Sequence, residues 1–385
     1  MKAIRVVSLF ALVAGLSAAW APSEVAAATH KLSPGDPMQA IVDAAAAGDT
    51  VIFAPGDYTG LAAGTGSAAL RITKPLKLIA KSKIKKNVRV RILPGAGNSH
   101  GIVVEPANPG DPDVDGVMIK GFTVEGFSNN GIWLKHVKNF KIQGNESIDN
   151  LENGIWPTLS ANGSVKKNVS YGSLDSALWV EASENVRVLK NDLHHSPTGL
   201  EVTISKDVLM MKNDIHDNTV GVGLYHPAAA GLAYASAPQP VGNWKLSKNT
   251  IRDNNNPNGA PPGGLVSAIP PGGGVLVLGV DDVTLEKNEI TGNDFFGIAM
   301  IDFCFAVSGT SFDCMTNPPE IADTDPENNR FVRNTVTGNA GGTPPPAFTG
   351  LNKDILAIST ATTNCFSDNT YGTSIFFPNP PAACL

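Results

Sequence analysis

Nearly the same phrase is written twice in this chain, KNDLHHSPTGLEV at 190–202 and KNDIHDNTVGVGL at 212–224. An interval of 22 residues is too short for a domain and too long for a heptad, and a fixed period of this size marks a repeat architecture. Aligned on V-x-V-x-x-N, the anchors fall at Phe122, Asn145, Asn168, Asn191, Asn213, Asn249, Asn288 and Asn334, with a weaker one at Asn369. The first four intervals are 23, 23, 23 and 22 residues. Between anchors stands a small residue followed by apolar-x-apolar, as in Gly131-Ile-Trp-Leu, Gly154-Ile-Trp, Ala177-Leu-Trp-Val and Gly199-Leu-Glu-Val. Each phrase alternates apolar and polar positions over three to five residues, the period of a short strand, with Gly and Asn at the turns.

A unit this small cannot bury its own apolar face and has to stack on its neighbours. Parallel stacking in register predicts an all-β fold, a right-handed parallel β-helix, with Val186, Val188, Leu193 and Leu200 lining one continuous core and the anchor asparagines stacked in a turn. Leucine-rich repeats share the period, but their leucine and Asn/Cys phrase is absent. The 39 Gly and 28 Pro in 385 residues fit many turns and short elements. Ahead of the coils, DPMQAIVDAAAAGDT reads as a helix with Asp36 as N-cap, Pro37 at its first position and Gly48 as its stop. It is placed to cover the open end of the stack, where bare strand edges invite association.

The organisation expected is a signal peptide over 1–28, then a single β-helix domain over 29–385 with regular coils at about 115–371 and a cysteine-linked tail. Lys2 and Arg5 precede an apolar run from Val6 to Ala19, too short for a stable membrane span, and small residues lead to cleavage near Ala28. The chain is thus expected to be secreted or periplasmic, with no membrane span. A net charge of -6 argues against nucleic acid as a partner. Four cysteines in an exported chain suggest disulfides, and proximity favours Cys304 with Cys314 and Cys365 with Cys384, one of three possible connectivities.

The segments AGDTVIFAPGDY (47–58) and LKLIA (76–80), followed by V-x-V-x-x-N-x-I coils, resemble the exported β-helix proteins of the pectin-lyase-like superfamily. The resemblance covers nearly the whole mature chain. It implies the fold, and a function among polysaccharide lyases, hydrolases and epimerases or proteins without known activity. Tyr225-His226-Pro227 is similar to the Asp-Pro-His phrase of β-helix uronate epimerases, with the Asp missing. The paired aspartates of polygalacturonases have no counterpart, because Asp281-Asp282 falls at a turn.

Insertions at about 225–243, 254–273, 302–328 and 340–353 rise on both sides of one sheet, and long loops on a rigid scaffold are where binding concentrates. On that sheet the outward column reads Trp133, Trp156, Trp179, Glu201, Gly223, and two places on Lys135, Thr158, Glu181, Thr203, Tyr225. The tryptophans with Lys135 form a candidate platform for stacked sugar rings; the alternative is a ladder packed beneath a loop, the tail or an envelope protein partner, in a non-enzymatic scaffold. Glu181 and Glu201, about 8 Å apart by strand geometry, form a candidate carboxylate pair, beside the alternative of two solvated glutamates. Tyr225 and His226 stand where the first loop leaves the sheet and are further catalytic candidates. Asp192, Asp214, His194, His216 and Arg252 stack in a second column, read as a hydrogen-bonded surface ladder, with catalysis or metal binding as the alternative. DPDVDG places Asp111, Asp113 and Asp115 at alternate positions before Gly116, a candidate calcium loop, with Asp323, Asp325 and Glu327 a looser one. The basic strip at 81–91 reads as a solvated face able to attract a polyanion.

Overall fold

The computed structural model describes residues 26–60, 67–83, 87–308, 322–344, 346–378 and 380–384. Each repeat supplies three strands, one to each of three parallel sheets. The V-x-V phrase enters sheet A, of 14 strands among the described residues; the stretch after the anchor enters sheet B and the small-apolar-x-apolar phrase sheet C, of 11 each. The opening phrase is a coil split across sheets B and C: Asp192–His194 pairs Asp214–His216, and Thr198–Thr203 pairs Val220–Tyr225. In-register pairing places Leu193 on Ile215, Leu200 on Val222 and Val188 on Met210. All six are fully buried, so the period-2 pattern does face one interior.

At the corner between sheets A and B, each anchor asparagine serves its neighbours in the stack. Asn249 Oδ1 accepts from the backbone N–H and the Nδ2 of Asn213, both at 2.9 Å, while its own Nδ2 donates to Met210 O and Asn288 Oδ1. The same pattern runs from Asn145 to Asn369. A second ladder, five residues after the anchors, links Asn218, Asn254, Asn293 and Asn339 and ends on Asp354. Turn backbone that would otherwise be buried without partners is thereby satisfied.

Helix α1 (Met38–Ala44) covers the N-terminal end, burying Met38 and Val42 on the core. Its N-cap residue is Pro37. Asp36, expected there, instead accepts from Ser33 N–H in the preceding turn. The helix ends at Ala44, ahead of Gly48. Gln39 donates to Arg71 O and accepts from Arg71 N–H, both at 2.8 Å, occupying the free edge of sheet C as another strand would. At the other end Cys365–Cys384 is closed. Cys304 is disulfide-bonded as well, and Cys314 lies outside the described residues, as does most of the signal-peptide segment. No described helix is long and apolar enough to cross a membrane.

Candidate functional site

The outward face of sheet C changes character along the stack. Trp133, Trp156 and Trp179 sit one above another with ring centroids 5.2 and 5.1 Å apart and planes within 9° of parallel. His100 continues the stack below Trp133 at 5.2 Å, and Lys135 Nζ lies 5.7 Å from the Trp133 ring centre. Trp133 and Trp156 are half-buried. Trp179 is 7% exposed: its Nε1 donates to Thr203 Oγ1 and the loop after Tyr225 crosses it at Gly231. The two readings of the ladder thus divide by position, open below and covered at the top.

Above Trp179 the column turns acidic. A pocket of about 280 Å³ is bounded by Trp179, Glu152, Asp175, Glu201 and Tyr225, and walled by Gly231 of the first insertion and the short helix α2 (Leu265–Ala268) of the second. Glu201 is 2% exposed and accepts from Ser176 Oγ at 2.5 Å; burial, and then the charge of Asp175, push its carboxyl well above the usual range. Burial and then Glu152 raise Asp175 to about 6. Burial raises Glu152 too. Tyr225 is fully buried, its hydroxyl 3.4 Å from Thr198 Oγ1, and burial followed by Glu201 raises its phenol. The ring needs the space over Gly223, where any Cβ would stand 2.1 Å from it. Glycine in this column is therefore what seats the tyrosine beside Glu201.

Of the expected pair Glu181 and Glu201, only Glu201 lines the pocket. Glu181 is fully buried, accepts from Leu232 N–H at 2.9 Å, and is raised to about 7 by burial. It lies under the loop instead of lining the pocket. The carboxylates that share the pocket with Glu201 are Glu152 and Asp175, which the sequence reading passed over. Their signal is positional: they stand two residues before the small residues Gly154 and Ala177, and Asp175 N–H donates to Glu152 O across the coils.

His226 is also buried, with Nδ1 accepting from Ala228 N–H and Nε2 against Asp323 O at 2.8 Å. With both ring nitrogens held, it braces the loop root and stacks on Phe303 at 4.7 Å. Asp111, Asp113 and Asp115 diverge: Asp111 caps Asn108, Asp113 pairs with Lys138 at 3.0 Å, and Asp115 accepts from Asn139. Three separate partners leave no shared oxygen cage for calcium. In the looser loop, Asp325 binds Thr360 N–H and Asp323 offers its carbonyl to His226. On sheet B, Asp192, Asp214 and His216 bring one ligand atom each within 4.8 Å. His216 is bonded to Asp192 and Asp217, and Arg252 sits 3.3 Å from Asp214, a self-paired ladder away from the pocket. In the basic strip, Arg89 pairs with Glu146 and Arg91 with Asp57.

Residues 100–256 match a family model described as a right handed beta helix region. Curated protein sequences give no match. Among solved structures the chain is similar to the A-module of Azotobacter vinelandii mannuronan C-5 epimerase AlgE4, with 18% identity, TM-score 0.62, and 90% of this chain and 94% of that one covered. The AlgE6 A-module of the same organism gives 16%, 0.58, 89% and 95%. The periplasmic alginate epimerase AlgG gives 14%, 0.58, 85% and 69%. At these identities the likeness is one of fold. Coil geometry, family match and structural neighbours agree that this chain folds as a right-handed parallel β-helix.

Proposed function

We propose that this is an exported protein that binds an extended polysaccharide along sheet C and hydrolyses it at the pocket above Trp179. The observation that carries the reading is the meeting of three carboxyl groups and a buried tyrosine at the end of an aromatic ladder. Environments that push two carboxyls apart in acidity assign them acid and base roles. Glu201, held well above the ordinary carboxylate range by burial and then by Asp175, is suited to give a proton to a glycosidic oxygen; Asp175, at about 6, is ionised at neutral pH and can activate water. The stacked rings of Trp133 and Trp156 supply a half-buried apolar strip, made by the outer edges of the column, along which sugar rings can lie leading to that point. The solved neighbours, whose names describe epimerases of mannuronan and alginate, support a glycan as the ligand of this fold.

Hydrolysis is favoured over lyase or epimerase chemistry on electrostatic grounds. Both of the latter draw a proton from beside a uronate carboxyl, and among the pocket's own carboxyls the charge of that group and of the developing anion calls for a cationic partner. Among the described residues, no Lys, Arg or His side chain lines the pocket. A panel of neutral, acidic and amino glycans assayed for new reducing ends and for unsaturated products tests this. Reducing ends that disappear in Glu201→Gln are the expected result; unsaturated products, or no product and no binding with any glycan, would refute it.

A further inference from the structure

Several carboxylates of this molecule are met by cations. Glu286 is met by Lys245, Lys287 and Arg333, Asp113 by Lys138, Glu146 by Arg89 and Asp57 by Arg91. The pocket above Trp179 is built otherwise. Glu152, Asp175 and Glu201 converge there, and none of them forms an ion pair with a described residue; Glu152 accepts from the neutral Asn130 amide and Glu201 from the Ser176 hydroxyl. The rest of the lining is Tyr225, Ser267 and apolar side chains. Carboxylates held out of water without a counter-charge are costly, and that cost falls when a cation arrives. A uronate would add a further carboxylate to the same space.

From this convergence of uncompensated carboxyls beside an aromatic wall, we propose that the pocket takes a sugar bearing a protonated amine, and that the substrate class is a glycan containing unacetylated amino sugars. The inference rests on the glycan-binding reading above and narrows it. An ammonium on the sugar placed in the pocket meets carboxylates in charge-assisted hydrogen bonds, while the face of the same or the next ring lies against indole, where a cation is also favoured. The raised carboxyls agree: burial, with mutual repulsion at Asp175 and Glu201, favours their protonated form, and an incoming ammonium displaces at least part of that proton load, Asp175 being raised to about 6.

The test is calorimetric titration of the mature chain below about pH 6, where Asp175 largely holds its proton and the sugar amines are charged, with chitosan oligosaccharides, the same oligosaccharides fully N-acetylated, and oligouronates of equal length. The amine-bearing series should bind at least about tenfold tighter than either other series, a difference of about 1.4 kcal/mol. Repeating the titration in buffers of different ionisation enthalpy should show protons released on binding, and Asp175→Asn, nearly isosteric, should remove both the release and the preference. Glu201→Gln serves the same purpose should Asp175→Asn fail to fold. Equal or tighter binding of the N-acetylated or uronate series overturns the inference. If those series bind and Trp156→Ala weakens them, the glycan platform stands while the charge selectivity falls; if none of the three binds, both fall.

Discussion

At the scale of single residues, the strongest constraints come from side chains that have no room to choose. Glu181 is sealed beneath the loop with a carboxyl raised to about 7 from an ordinary 4.5. A raised carboxyl stabilises the fold, relative to the ionised state, fully below about pH 4.5, and that contribution is lost as pH climbs through about 7. Wild-type protein should therefore lose roughly 2 to 3 kcal/mol at this residue between pH 5 and pH 8, and Glu181→Gln should flatten that slope in denaturant titrations at the two pH values. An unchanged slope would mean that Glu181 is solvated in solution. The tryptophans give a second contrast. Trp179→Ala removes a covered ring and should cost roughly 3 to 5 kcal/mol of stability. Trp156→Ala should spare most of the stability and weaken a long glycan by roughly 1 to 3 kcal/mol, taking base-on-aromatic stacking as the analogue. The reverse ranking in the two assays would show that the platform is misassigned. Reading outward columns from the repeat locates the ladder, Glu201 and Tyr225, because side-chain direction follows from strand period alone. Burial by a loop does not follow from that period, so the fates of Glu181 and His226 were out of reach. Asp175 was missed because it stands at the turn entering sheet C, outside the strand phrase.

At the scale of elements, the corner ladders explain why Asn recurs with such regularity. An amide both accepts and donates, so one residue type can satisfy the backbone below and the amide above in every coil. Asn249→Ala would remove the acceptor of the Asn213 N–H and one partner of its Nδ2 on one side and the side-chain donor to Met210 O on the other, while the residue 249 N–H would still reach Asn288 Oδ1. We expect a loss of roughly 2 to 4 kcal/mol in thermal or chemical unfolding, well above the 0.5 to 1.5 kcal/mol of an ordinary hydrogen bond. A loss inside that ordinary range would mean that water replaces the amide. The second ladder was equally visible in the sequence, five residues after each anchor from Asn213 to Asn334, yet a single alignment column drew attention to the first. Helix α1 was legible in existence and place, and its cap was off by one residue. Propensity names Asp36 as a cap, but its carboxylate is taken by the tight turn at Ser33.

At the scale of the whole molecule, a stack of coils is close to one-dimensional: each coil touches its neighbours, and unfolding starts at the ends. The C-terminal end is held by Cys365–Cys384, which closes a span of 19 residues. Opening it by Cys384→Ser should cost roughly 3 kcal/mol by the chain-entropy argument, and protease digestion should nibble from the tail before any internal coil. Simultaneous loss of all fragments would point to one cooperative block. The fold was read from the sequence nearly complete because its information is repeated coil after coil, whereas the pocket is written once, by residues brought together from two coil turns and two insertions. That same repetition makes the tryptophan column a ruler. Its graduations are 5.1 to 5.2 Å and each is engraved by one coil, so excising a whole coil between equivalent turn positions should remove one division and leave the rest of the scale intact. The shortest oligosaccharide that still reaches the acidic pocket with full grip on the column would then be set by how many coils the gene spells out, a length standard carried in units of 23 residues.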